Sequence, residues 1–188
     1  MDRTTMQAAC ANTERVVECV REEQLGNPTP CVEWDVRALL NHVVGTLHLG
    51  AGLLSDSPPT QAPAPGGLPD DDLLGNDPVK AYRLGVEKLL TAATGDALDR
   101  VHATPFGEMP GAVLGGFTTV DILVHGWDLA RATGQDAVLP AELAEAALGF
   151  ARQTITDENR APRIGPPVDV DAGASATDRL VGYFGRRP

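Results

Sequence analysis

Aromatic residues make up only 4% of this 188-residue sequence. A core with so few rings has to be filled by Leu, Val and Ala, which favours helices packed on helices. Cysteine is scarce as well: Cys10, Cys19 and Cys31 are an odd number, and the first two lie nine apart, on opposite faces of a helix, where they cannot bridge. The expectation is small buried thiols in a reducing compartment, not a disulfide framework. Long apolar runs are missing, and Met1-Asp-Arg-Thr-Thr5 lacks the apolar stretch of a signal peptide, so a membrane span is not expected and the cytoplasm is the expected location. Basic charge is short too, 15 Lys and Arg against 26 Asp and Glu, for a net charge of -11. That balance repels phosphate backbones and anionic lipid, which argues against nucleic-acid and membrane partners. There is no Ser-centred elbow and no Cys-x-x-Cys, and Gly66-Gly67 has no phosphate-loop context.

What is present is helical periodicity. Met6, Cys10, Thr13, Val16, Val17 and Val20 recur at three and four residues, predicting a first helix from about Thr4 to Glu23, stopped by Gly26-Asn-Pro-Thr-Pro30. A second is predicted from Asp35 as N-cap to about Leu54, with Thr29 or Glu33 as alternative starts. Ser55 to Pro78 reads as a long Pro- and Asp-rich loop, long enough to cover a site. Asp77-Pro78 opens a third helix to about Ala93, and Asp99 to Gly116 reads as irregular or briefly extended. A fourth helix is expected from Phe117 to Thr133, ending at Gly134, a fifth from Pro140 to about Ile155, and a short one over Thr177 to Tyr183. The predicted fold is all-α, an up-and-down four-helix bundle with an extra short helix and long loops, in one domain over residues 1–188.

The chemistry concentrates in the fourth helix. Asp121 and His125 are four apart and share a face, with Asp128 close by. Val120, Ile122, Leu123, Val124, Trp127, Leu129 and Ala130 make this helix apolar nearly all round. A carboxylate buried there needs a cation, a hydrogen-bond network or a metal, because leaving it unpaired costs several kcal/mol. An inward-facing Asp and His one turn apart are half of a divalent site, and the rest must come from another helix. Of the four histidines, His42 borders the apolar stripe of the second helix, where a hydrogen-bonded core histidine is the commoner outcome. His48 points elsewhere, and His102 lies in the irregular segment with reach to a site mouth.

Two long motifs, Pro28-Thr-Pro-Cys-Val-Glu-Trp-Asp-Val-Arg-Ala-Leu-Leu-Asn-His-Val-Val-Gly45 and Val124-His-Gly-Trp-Asp-Leu-Ala-Arg-Ala-Thr-Gly134, resemble the DinB/YfiT-like superfamily. Within it they are most similar to the branch related to the N-terminal domain of mycothiol-dependent maleylpyruvate isomerase. Leu73-Leu-Gly-Asn-Asp-Pro78 and Phe184-Gly-Arg-Arg-Pro188 fit the same pattern. The resemblance implies a helical bundle holding one divalent metal, zinc first, with nickel or iron as alternatives. It maps the ligands onto His42, Asp121 and His125. The isomerase carries Glu where this chain has Asp121, one methylene shorter, which implies a deeper, weaker or different ion. It also has a C-terminal domain for which 188 residues leave no room.

Three protein ligands leave a coordination position for water or a substrate thiol, as catalytic sites do. The resemblance implies mycothiol or a similar thiol there, and S-transfer or isomerisation of a small electrophile. Metal-activated hydrolysis and a non-catalytic metal- or ligand-binding module are the alternatives. Asn41 and Asp128 are candidates to orient the ligating imidazoles, although Asp128 has Arg131 one turn on as an ion-pair partner. Trp34 and Trp127 read as packing anchors and Asp35 as a helix cap, with no nucleophilic role expected for Cys31. A monomer or a homodimer is compatible with the pattern.

Overall fold

The protein is described by a computed structural model over residues 1–32, 34–59, 71–160 and 164–188. Its long helices are α1 (Arg3–Glu18), α2 (Val36–Leu53), α3 (Pro78–Ala92), α5 (Gly111–Thr133) and α6 (Ala141–Thr154), with short α4 (Gly95–Asp99), α7 (Asp157–Arg160) and α8 (Ala176–Tyr183). A two-stranded antiparallel hairpin, β1 (Val101–Thr104) and β2 (Gly107–Pro110), lies between α4 and α5. The expected helical bundle is present, and among the described residues no helix is long and apolar enough to cross a membrane.

The caps explain why the helices begin where they do. Asp35 and Asp77 each accept a backbone N–H from three residues on, from Ala38 and Lys80, and Pro78 takes the first turn of α3, where its missing N–H costs nothing. Helix α1 stops at Glu18, short of Glu23, and a single 3-10 turn over Glu22–Gln24 follows. The Gln24 side chain caps the Arg21 N–H at 3.0 Å and donates to the Thr133 carbonyl at 2.9 Å. The chain leaves the helix to tie itself to the end of α5.

Helix α5 starts at Gly111, not at Phe117. Its first glycines look like breakers in sequence, yet here they permit close packing. A Cβ on Gly111 would lie 2.0 Å from the Ala97 carbonyl oxygen, and one on Gly116 would lie 2.3 Å from the Phe150 ring. The segment from Asp99 to Gly116, read as irregular or briefly extended, is extended in the hairpin and helical over the first turns of α5.

Seventeen of the 23 residues of α5 are buried. One side of the helix supplies Leu114, Ile122 and Leu129 to a core built with α1, α2 and α3 around Met6, Leu39, Leu40, Leu47, Tyr82 and Leu89. The other side supplies Val120, Leu123 and Val124 to a second core with Ala144, Leu148 and Leu180 of α6 and α8. A helix clamped between two cores has no solvent-facing stripe, which accounts for its apolar composition all round.

Candidate metal centre

Helices α2 and α5 pack side by side and bring His42 onto Asp121 and His125. His42 Nε2 lies 3.3 Å from Asp121 Oδ2, and His125 Nε2 lies 3.5 Å from Asp121 Oδ1. The two imidazoles meet edge to face with centroids 4.8 Å apart. One donor atom from each residue falls within 4.8 Å of the others. Asp121, with 31% of its side chain exposed, is more open than His42 and His125, at 12% and 11%.

The electrostatics follow from the packing. Burial pushes the Asp121 carboxyl up, but the His125 and His42 rings beside it outweigh that and hold it well below the ordinary carboxylate range. Burial likewise favours neutral His125, but the Asp121 carboxylate and further bonds to Asp128 and Cys31 raise it well above an ordinary histidine.

Neighbouring side chains fix the three groups. Thr46, one turn beyond His42 on α2, donates its hydroxyl to Asp121 Oδ2 at 2.9 Å. Asp128 Oδ2 holds His125 Nδ1 at 2.9 Å, so the other ring nitrogen faces Asp121. The loop before α2 is pinned by Thr29, whose hydroxyl donates to the Trp34 carbonyl at 2.8 Å, and it delivers Trp34 and Cys31. The Trp34 ring packs 4.6 Å from His42 and 6.0 Å from His125, so this packing anchor walls the site.

Other candidates sit elsewhere. The Asn41 amide is engaged by the returning loop, donating to the Asp71 carbonyl at 3.0 Å and accepting the Leu73 N–H at 2.8 Å. The ion-pair partner of Asp128 is Arg186, 2.6 Å away, and not Arg131, whose guanidinium lies over the Trp127 ring at 5.5 Å. Asp128 has no exposed surface and turns inward, whereas Arg131 is on the outer side of the helix. His102 is buried in β1, bonded to the Ala97 carbonyl at 2.7 Å, and is not at the site mouth. His48 faces a separate groove between α2 and α3, its pKa lowered by burial and by Lys88. Cys10 is buried, with its thiol pushed up to about 12 by desolvation, but Cys19 is exposed, contrary to the expectation for small thiols. The middle of the expected covering loop, residues 60–70, lies outside the described residues.

Thr46 and Arg186 are the site's neighbours that sequence reasoning missed, and Cys31, read only as having no nucleophilic role, is a third. Thr46 had a usable signal, four residues after His42 on the same helical face. Arg186 lies in the Phe184-Gly-Arg-Arg-Pro188 segment, but no local spacing pairs it with Asp128, 58 positions away.

Comparison with known proteins identifies the family and the fold. A family profile described as the mycothiol maleylpyruvate isomerase N-terminal domain matches residues 6–130. Two uncharacterized proteins, one from each of two strains of Mycobacterium tuberculosis, are 37% identical over 163 residues, covering 80% of this chain and 83% of theirs. Crystal structures of the mycothiol-dependent maleylpyruvate isomerase and of a histidine-to-alanine mutant of it superimpose with a TM-score of 0.62, at 17% and 16% identity. Each comparison covers 83% of this chain and 68% of the isomerase, and at that identity the likeness is one of fold. With its profile match running from α1 through α5, the chain belongs to the mycothiol maleylpyruvate isomerase N-terminal domain family.

Proposed function

We propose that this chain is a divalent-metal-dependent enzyme that brings a low-molecular-weight thiol of the mycothiol type to a small electrophile, by S-transfer or isomerisation. One observation carries the metal: His42, Asp121 and His125, from two helices, converge with their donor atoms within 4.8 Å. Each imidazole lies against a different oxygen of Asp121, at 3.3 and 3.5 Å, close to the roughly 3.3 Å between neighbouring ligands of an ion bound at about 2.0–2.1 Å. Two imidazoles and a carboxylate suit zinc, nickel or iron, with zinc the first choice. The thiol rests on family membership, since the isomerase is named for its mycothiol dependence.

A bound divalent cation supplies charge that makes a nearby thiol easier to deprotonate and polarises an electrophile. The protein's own part is positional. Asp128 orients His125 and Thr46 orients Asp121. Trp34 shields the imidazoles on one side. The open side at Asp121 leaves an approach for small molecules.

Elemental analysis tests the metal directly. The purified protein is expected to carry about one equivalent, and His125→Ala none; equal metal content in the two would sink the assignment. The thiol has its own test, in which mycothiol raises the melting temperature of the loaded protein but not of the stripped one. No shift with loaded protein would remove the thiol from the proposal and leave the metal.

A further inference from the structure

Asp128 is a charged side chain with no exposed surface, engaged by His125 Nδ1 at 2.9 Å and by Arg186 Nη2 at 2.6 Å. Arg186 grips it with two donors, Nη2 to Oδ2 at 2.6 Å and Nε to Oδ1 at 3.1 Å. Such a fork fixes orientation as well as charge.

The backbone aims this guanidinium. Helix α8 ends with the Gly185 N–H on the Gly182 carbonyl and the Arg186 N–H on the Val181 carbonyl, a Schellman motif with Gly185 at φ +82°. That turn sends Arg186 back toward α5, and its Nη1 is anchored on the Phe184 carbonyl at 2.9 Å. Cys31 arrives from the loop before α2, its Sγ 3.1 Å from Arg186 Nη2, 3.4 Å from Asp128 Oδ2 and 3.7 Å from His125 Nδ1. Cys31, His125 and Asp128 thus have the donor spacing of a second cation cluster. Arg186 Nη2 already lies within hydrogen-bond distance of two of them.

We propose that Arg186 is a positioning residue for the metal centre. As a built-in cation it locks Asp128 against Nδ1 of His125, which directs Nε2 toward Asp121 and His42, and it keeps metal out of the Cys31 group. The proposal rests on the reading of His42, Asp121 and His125 as the ligands. Removing partners that orient a ligating imidazole typically weakens metal binding by about 10–100-fold.

Cobalt(II) titration of the metal-free full chain tests it. Wild type is expected to take one equivalent with no sulfur-to-cobalt charge-transfer band. Arg186→Met weakens binding by about 10–100-fold, while Arg186→Lys, keeping the charge but not the fork, recovers part of the loss. Asp128→Asn causes a loss of its own, and adding Arg186→Met to it changes the dissociation constant by no more than about twofold, because the arginine acts through that carboxylate. The double variant also removes the buried charge that Arg186→Met leaves without its arginine, and far-ultraviolet circular dichroism checks that each variant is folded. Unchanged affinity in folded Arg186→Met, additive losses in the double variant, or a thiolate band in wild type would each overturn the proposal. A wild type that binds no cobalt overturns the ligand reading itself, a result separable from the other three.

Discussion

Asp121 and His125 titrate against each other, and that coupling makes the site visible in the metal-free protein. Raised His125 stabilises the fold fully below its unfolded value of 6.5, and that stability is lost as pH climbs through the raised folded value. Lowered Asp121 stabilises above its unfolded value of 3.8, and that contribution is lost as pH falls through the depressed one. The melting temperature of stripped protein should therefore plateau between those two values and decline toward alkaline pH. Metal competes with the same proton, so above pH 6.5 its affinity should rise by up to about tenfold per pH unit until His125 has titrated. Above pH 6.5 neither the loaded nor the unfolded protein holds that proton, so a thermal-shift series should show the stripped protein declining while the loaded protein stays flat. Parallel slopes would mean that His125 gives up no proton to the ion.

At the scale of the element, α5 carries both the site and the two cores, and its glycines are part of that arrangement. A Cβ at Gly111 meets the Ala97 carbonyl, which belongs to backbone and cannot step aside, so Gly111→Ala should cost about 1–3 kcal/mol. Gly149 in the middle of α6 is exposed with nothing within 4 Å of its would-be Cβ. There the same substitution should stabilise by about 0.5–1 kcal/mol, since alanine gives up less backbone freedom in a helix. Urea midpoints of the two variants should move in opposite directions. The beginning of α5 was misjudged for this reason: Gly111, Gly115 and Gly116 are helix breakers by propensity, and only their neighbours on α4, α1 and α6 show what they permit.

For the whole molecule, metal binding should appear as added stability. Free metal at 100 times its dissociation constant contributes about 2.7 kcal/mol. In a chain of this length that corresponds to a rise of about 5–10 °C in melting temperature. His125→Ala should abolish the rise, and a differential scanning calorimetry series over metal concentration checks both. The net charge of -11 belongs to the whole chain, while a deeply buried ion pair, Asp128 with Arg186, joins the segment after α8 to α5. Through it the second core, with α6 and α8, reaches the candidate site that α2 and α5 build.

The sequence by itself determined what depends on neighbours a few positions apart. The 3.6-residue repeat laid out α2, α3 and α6, the caps at Asp35 and Asp77 placed their starts, and four-residue spacing put Asp121 over His125 on an apolar helix. Two long motifs pointed to the family as well. Only the tertiary structure decided which distant groups meet: His42 against α5, Thr46 on the Asp121 carboxylate, His102 turned into the hairpin, and Arg186 rather than Arg131 on Asp128. The physical reason is one of range. Helix periodicity and capping are satisfied within one or two turns of chain, whereas the neutralisation of a buried carboxylate is settled by whichever cation the packed helices and their connecting turns carry to it.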